Sequence, residues 1–269
     1  SYLCLSVCAK GSRRVAAAAG CGASLASPMP NVAAKARPDP KNFRFVDKKS
    51  EHLAKLPGEI GGLDFLVDGC EDCDIFLLDN TSQVFVDYCK RCSITIGPVS
   101  GSVFFRNCEG CQIKVACGQM RTRDCLDCNI LVLVPGRPTI EASRGMRFGP
   151  LLTAYEGFEG QMQGNEKIFY AYAVFPDPKV EASGLARRFE EGGEACHWRN
   201  VYDFSSNDPA CGNWSALSRR EAQAVLASFP AAPVGEGPPL RFPSDRFPED
   251  PASGGAAAPA AAARGQAAR

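Results

Sequence analysis

The chain has 269 residues, and its 30 Lys and Arg balance its 30 Asp and Glu, so nothing in the overall charge draws it to nucleic acid or to an anionic membrane. It contains no run of about eighteen apolar residues, which argues against a transmembrane helix. Its two histidines, His52 and His197, have no nucleophile or ligand pattern near them, which disfavours a Ser-His-Asp triad or a Cys/His zinc site.

Residues 1–38 are rich in Ala and Ser, carry Lys10, Arg13, Arg14 and Lys35, and hold no acid before Asp39. They read as a disordered leader, with a transit-like segment as the alternative. Because the chain opens on Ser1, this end carries no reading for or against a membrane anchor. Folding is expected to begin near Pro38-Asp39-Pro40-Lys41. Phe43 and Phe45 then lead to a short helix around residues 50–56 and a first rung over 56–65.

From there the spelling Cys-x-x-Cys recurs, at Cys70/Cys73, Cys89/Cys92, Cys108/Cys111 and Cys125/Cys128, and a further unit has Ser143 at the first position. Three residues before that position stand Val67, Val86, Phe105, Thr122 and Ile140. Two residues after the second position stand Ile75, Ile94, Ile113, Ile130 and Phe148. Alternation of apolar and polar residues around each pair reads as strand, because successive side chains point to opposite faces. Short strands recurring at a near-constant period, with no helical pattern between them, predict an all-β coil of parallel strands. One turn of about 60 Å, at roughly 3.3 Å per residue, closes a triangle. Asn80-Thr81-Ser82, Gly97-Pro98, Ser100-Gly101-Ser102, Cys117-Gly118 and Pro135-Gly136-Arg137-Pro138 carry the turn chemistry for its corners. The rungs are expected over about residues 56–150, about six in all.

Three uses are open for the eight repeated cysteines: a buried ladder, structural zinc, or disulfides. The ladder is favoured. Residues at one offset lie about 4.8 Å apart on successive rungs, and Cys is small, apolar and usually buried. A zinc site normally joins two pairs across a loop, whereas here every pair is followed by its own strand. Nothing marks a secreted chain, which disfavours disulfides.

On the outward face one row runs Leu66, Phe85, Phe104, Arg121, and the row two residues on runs Asp68, Asp87, Arg106, Arg123, Glu141. Glu141 is thus expected beside Arg123 and within side-chain reach of Arg121, where a carboxylate can hold a guanidinium by two parallel hydrogen bonds. An exposed ion pair without function is the plain alternative. The apolar row ending in an arginine favours a docking surface with a charged tip.

After Phe148 the period is lost, and residues 149–217 read as an irregular cap over the last rung, with a polar insertion at 176–195. Ser218-Arg219-Arg220-Glu221 has capping-box spacing and opens a short helix over 218–228. The Ala-, Pro- and Gly-rich tail, 229–269, is expected to be disordered.

Residues 39–217 resemble the cofactor C-like (C-CAP) domain family. The likeness is carried by Leu56-Pro57-Gly58, by Gly97-Pro98-Val99-Ser100-Gly101-Ser102-Val103-Phe104-Phe105-Arg106-Asn107-Cys108, and by Ala116-Cys117-Gly118-Gln119-Met120-Arg121-Thr122-Arg123-Asp124-Cys125. It continues more thinly through Trp198-Arg199-Asn200-Val201-Tyr202-Asp203-Phe204 and Asn213-Trp214-Ser215. The resemblance implies a right-handed parallel β-helix that activates GTP hydrolysis by an Arf-like small GTPase of ciliary trafficking, in the cytoplasm or at the cytoplasmic face of a membrane. It places Arg121 as the arginine entering the partner's nucleotide site, Glu141 as the acid orienting it, and Phe204 as a partner contact. It implies no cofactor or metal of the chain's own, since GTP and Mg2+ belong to the partner. The family's glutamine near the arginine is replaced here by Gly118, with Gln119 one position later. The other readings are a tubulin-folding cofactor acting on the tubulin dimer and a scaffold that binds the GTPase without stimulating it.

Overall fold

The computed structural model describes residues 38–163, 197–206 and 211–240. The leader up to residue 37, the insertion at 176–195 and the tail beyond 240 lie outside the described residues.

Successive strands stack in parallel, each on the strand one rung earlier. One side of the coil is built from β1 (Arg44–Val46), β3 (Phe65–Asp68), β5 (Val84–Asp87), the second half of β6 (Ser93–Arg106), the second half of β7 (Gln112–Arg123) and β9 (Thr139–Glu141). The next side is built from β2 (His52–Lys55), β4 (Asp74–Leu77), the first halves of β6 and β7, β8 (Asn129–Leu133) and β10 (Met146–Pro150). The chain therefore forms a parallel β-helix, as its repeat predicts. Val67, Val86, Phe105, Thr122 and Ile140 are register partners in one inward column, and Ile75, Ile94, Ile113, Ile130 and Phe148 in the other. All ten are buried. Burial of each large apolar side chain contributes about 1.5–3 kcal/mol against its exposed state.

The corner between these two sides explains the cysteines. The residue before each Cys position adopts a positive φ: Gly69, Tyr88, Asn107, Asp124 and Ala142 before the first, and Asp72, Arg91, Gly110, Asp127 and Gly145 before the second. These left-handed residues turn the chain twice within four positions and aim the following side chain inward, and Gly, Asn and Asp tolerate the conformation best. At Gly69 a Cβ would lie 2.6 Å from Asp47 Oδ1, so a side chain there would require the Asp47 carboxylate to move. The thiols form two buried ladders, Cys70, Cys89, Cys108, Cys125 and Cys73, Cys92, Cys111, Cys128, all unoxidised. Each can donate weakly to backbone carbonyls, as Cys92 does to Cys70 O at 3.4 Å and Cys125 to Phe105 O at 3.5 Å. Ser143 continues the first ladder, donating to Glu141 O at 2.9 Å and accepting from Cys125 N at 3.1 Å. Hydrogen bonding with the Cys111 thiol, then burial, pushes Cys92 up to about 12. Hydrogen bonding with Cys89 and burial raise Cys70 as well. Both shifts favour the thiol over the thiolate at these two positions, whereas hydrogen bonding with the Cys108 thiol lowers Cys125.

Three expectations need correction. The helix expected around 50–56 is strand β2, whose His52-Leu53-Ala54-Lys55 pairs with Asp74–Leu77 and sets Leu53 beside Ile75. The coil thus starts at Arg44 instead of Leu56, while residues 56–64 form a loop held by the Asp79 carboxylate, which accepts from Ile60 N at 2.8 Å and Gly61 N at 2.7 Å. Second, the cap is in part more coil: β12 (Tyr202–Asp203) pairs in parallel with β9, and β13 (Trp214–Ala216) with β10, as an incomplete further rung. Third, the tail is ordered as far as residue 240. After α2 (Arg219–Ala227) the chain runs to β14 (Glu236–Pro239), which pairs antiparallel with β11 (Thr153–Tyr155). Phe229, Ala232, Val234 and Leu240 pack on the core there, so a few apolar anchors outweigh the Ala-Pro composition around them.

The remaining elements seal the coil. Tyr155, buried behind α1 (Phe158–Gln163), donates to Gln161 Oε1, and Gln161 Nε2 donates to Leu78 O at 2.9 Å. A Cβ on Gly97 would collide with the Tyr155 hydroxyl and crowd the Asp79 and Leu77 carbonyls, which accounts for glycine at this point of β6. Helix α2 opens on a full capping box, with Glu221 N donating to Ser218 Oγ at 3.3 Å and Ser218 N donating to Glu221 Oε2 at 2.9 Å.

Candidate functional site

The parallel register sets side chains of one column side by side at about 4.8 Å. On the outward face of the first side that column runs Leu66, Phe85, Phe104, Arg121, Thr139, Tyr202. The neighbouring column runs Asp68, Asp87, Arg106, Arg123, Glu141. Phe204 follows at the end of this column, its N–H donating to Ile140 O at 2.8 Å, and the residue is 65% exposed. Over the last rungs these two columns bound an open groove of about 700 Å³, with Phe104, Arg121, Arg123, Glu141 and Phe204 on its walls.

The charges in the groove are unequally satisfied. Arg106 is clamped by Asp87 through two parallel hydrogen bonds, Nε to Oδ1 at 2.7 Å and Nη2 to Oδ2 at 2.6 Å. Arg123 lies 3.3 Å from Asp124 and 3.9 Å from Glu141, separations of a loose, solvent-exposed pair. Arg121 is exposed, and among the described residues no carboxylate stands within ion-pair distance of it. Its neighbour is the Phe104 ring, whose centroid is 5.8 Å from the guanidinium carbon. As the repeat predicts, register puts Glu141 directly across from Arg123, while Arg121 is two residues along the strand and faces Thr139; the Glu141 carboxylate lies nearest the Arg123 guanidinium, at 3.9 Å.

Gly118 and Gln119 precede Arg121 on β7 and stand outside the groove wall. The Gln119 amide oxygen accepts from Ser102 Oγ at 3.0 Å. At Gly118 a Cβ would lie 2.8 Å from Ser100 O and 2.9 Å from Gly101 O, so this backbone admits no side chain unless it moves. The glutamine that the family resemblance calls for at this position has no room here.

Sequence reading missed two participants. Thr139, across from Arg121, is small, and its hydroxyl is turned away to Met120 O at 3.2 Å, which leaves the space beside the guanidinium open. The same register that places Glu141 beside Arg123 would have found it. Tyr202 carries the guanidinium of Arg137 over its ring at 5.0 Å and meets Phe204 edge to face at 4.7 Å. It follows the irregular segment where the repeat is lost, so no periodic signal marks it.

Residues 62–170, which carry this coil and its outward arginine, match the family described as Tubulin binding cofactor C. Among individual proteins the chain is similar to protein XRP2 from Danio rerio, 40% identical over 184 residues, covering 66% of this chain and 41% of that protein. Protein XRP2 from Homo sapiens is 38% identical over 203 residues, covering 74% of this chain and 49% of that protein. The chain thus spans about half the length of the curated relatives it matches. The solved structure of tubulin binding cofactor C from Leishmania major covers 53% of this chain and 82% of its own at 24% identity, with a TM-score of 0.36, a likeness too loose to bear on the site. No helix among the described residues is long and apolar enough to cross a membrane.

Proposed function

We propose that this chain is a GTPase-activating module that supplies Arg121 in trans to the nucleotide site of an Arf-like small GTPase. The observation that carries this reading is an exposed guanidinium at the edge of an open groove, with no carboxylate among the described residues neutralising it. Phosphoryl transfer to water builds negative charge on the γ-phosphoryl group and on the oxygen bridging it to the leaving GDP. A guanidinium brought to those oxygens in a water-poor interface stabilises that charge, and such an arginine is worth roughly 10³- to 10⁵-fold in rate. GTP, Mg2+ and the attacking water come from the partner. Arg123 and Glu141 form the polar rim of the docking face, and Phe204 and Phe104 offer it apolar area. The setting proposed is ciliary protein trafficking, in the cytoplasm or on the cytoplasmic face of a membrane.

The family's name supports a second reading, a tubulin-folding cofactor acting on the tubulin dimer. Single-turnover GTP hydrolysis separates the two. A set of Arf-like GTPases, each loaded with GTP, is followed with and without the chain, and tubulin with its folding cofactors is assayed in parallel. Stimulation of an Arf-like protein alone supports the first reading. Stimulation confined to the tubulin mixture supports the second, and binding without stimulation makes the chain a scaffold.

A further inference from the structure

We propose that Asp203 is a positioning residue for partner binding: it brackets the chain around Phe204 and holds the exposed Tyr202–Phe204 aromatic pair as the apolar anchor on which the GTPase docks. This deepens the reading of the groove as a docking face and rests on it.

The need for a bracket follows from where these residues lie. Tyr202 and Asp203 make up β12, a two-residue strand on the incomplete last rung. Backbone bonds hold it to the rung before, Tyr202 N donating to Pro138 O and Phe204 N to Ile140 O, both at 2.8 Å. Among the described residues no strand pairs with its other edge. So short a strand at the end of a stack has little to keep it from fraying.

Asp203 supplies what the ladder lacks. Its Oδ1 accepts from Ser205 N at 2.8 Å and its Oδ2 from Asn213 Nδ2 at 2.8 Å, so one carboxylate ties together points ten positions apart in the chain. The Cys211 thiol stands 3.7 Å from the same Oδ2. Ser205 passes the restraint back to the coil, its Oγ accepting from Ala142 N. Burial pushes the Asp203 carboxyl up, but the donors on Asn213 and Ser205 outweigh it and hold the group below the usual carboxylate range, so these bonds select the anion. The backbone of Phe204 is thereby fixed on both sides.

What the bracket presents is an aromatic pair facing water. The Tyr202 and Phe204 rings meet edge to face at 4.7 Å, and the Arg137 guanidinium covers Tyr202 at 5.0 Å. Phe204 is nevertheless more exposed than any other large apolar residue among those described. A residue that only capped the coil would turn its ring onto the last rung. An aromatic held still in solvent suits binding instead, since its area is ready to be buried and little freedom remains to be lost. Phe204 lines the same groove as Arg121, which makes the occupant the protein that receives that arginine. The pair then sets how tightly the partner is held, and Arg121 how fast its GTP is cleaved.

The test begins with the isolated full chain, which makes it independent of any GTPase. In protein with labelled Phe and Tyr, the edge-to-face contact is expected to displace ring-proton resonances of the pair upfield, assigned by their loss in Tyr202→Leu and Phe204→Leu. Asp203→Ala is expected to remove the displacement. Asn213→Leu, which opens the same bracket from the other side, is expected to do so too and serves should Asp203→Ala not fold. Asp203→Asn combined with Asn213→Asp exchanges acceptor and donor and is expected to restore it. Displacement kept when the bracket is opened would overturn the proposal, whether or not any GTPase is stimulated. In the hydrolysis assay, Asp203→Ala is expected to raise the half-saturating concentration about tenfold, the scale of one hydrogen bond to a charged group. The rate at saturating chain is expected to shift less, and the exchanged pair to recover the half-saturation. A fall in the saturating rate with half-saturation unmoved would overturn the assignment of the pair to binding. Absence of stimulation by the native chain would instead count against the reading of Arg121, leaving the ring resonances to decide the bracket.

Discussion

Arg121 and Gly118 lie three positions apart on one strand, and their surroundings set opposite demands. Arg121 needs reach and an open side, which the short Thr139 provides. Gly118 needs the absence of a side chain, because two carbonyl oxygens stand under 3 Å from where its Cβ would be. Gly118→Gln is therefore expected to destabilise the fold by about 1–3 kcal/mol, the cost of forcing volume into a packed site, as read from urea denaturation midpoints. An unchanged midpoint would show that the rung relaxes freely at that corner. The sequence made Arg121, Arg123 and Glu141 legible because strand register is arithmetic once a repeat is known. It did not make the pairing legible, since whether Glu141 turns to Arg123 or to Arg121 depends on side-chain direction, which register alone leaves open.

At the scale of elements, the segment from α2 to β14 crosses the second side of the coil and buries Lys114, whose ammonium lies 4.6 Å from the Phe229 ring centroid. Burial lowers the pKa of Lys114 below its ordinary 10.5. The sign follows from proton binding: between the depressed folded value and the unfolded value near 10.5, the unfolded chain holds a proton the folded chain has released, so stability rises with pH. Below the folded value the chain carries the full cost of a buried ammonium. Lys114→Met should therefore raise stability at neutral pH by about 1 kcal/mol and should lack the added rise on going to alkaline pH. Parallel urea titrations of both chains at neutral and alkaline pH check it, and equal stabilities at neutral pH would contradict it. This segment was the least legible element, because Ala, Pro and Gly dominate it and only spaced anchors such as Phe229 and Leu240 hold it down. Strand β2 was misread for a related reason. In the first rung Lys48 and Glu51 stand where later rungs have their two cysteines, so the spelling that announces the corner is missing at the coil's end.

Over the whole molecule the repeat did most of the specifying. Each rung reports the same columns, so one misaligned unit is corrected by its neighbours, and the fold class follows from a handful of positions. The ends escape this check, since a terminal rung has a neighbour on one side only, and there the chain changes its vocabulary: charged residues replace Cys at the start, and separated pieces around Tyr202 and Trp214 extend the stack at the finish. The groove lies near that finish, so Phe104, Arg121, Arg123 and Glu141 on its wall could be read from the repeat, whereas Phe204 lies beyond the break in the period and was reached only through the family resemblance. If this face docks a GTPase through Arg121, the guanidinium must act on the transition state more than on the encounter. The decisive measurement is the single-turnover hydrolysis rate of an Arf-like GTPase at saturating chain, compared between the native protein and Arg121→Ala, with complex formation followed in the same samples. The account predicts a loss of at least about 10³-fold in the stimulated rate while the complex still forms; equal stimulation by the two chains would contradict it.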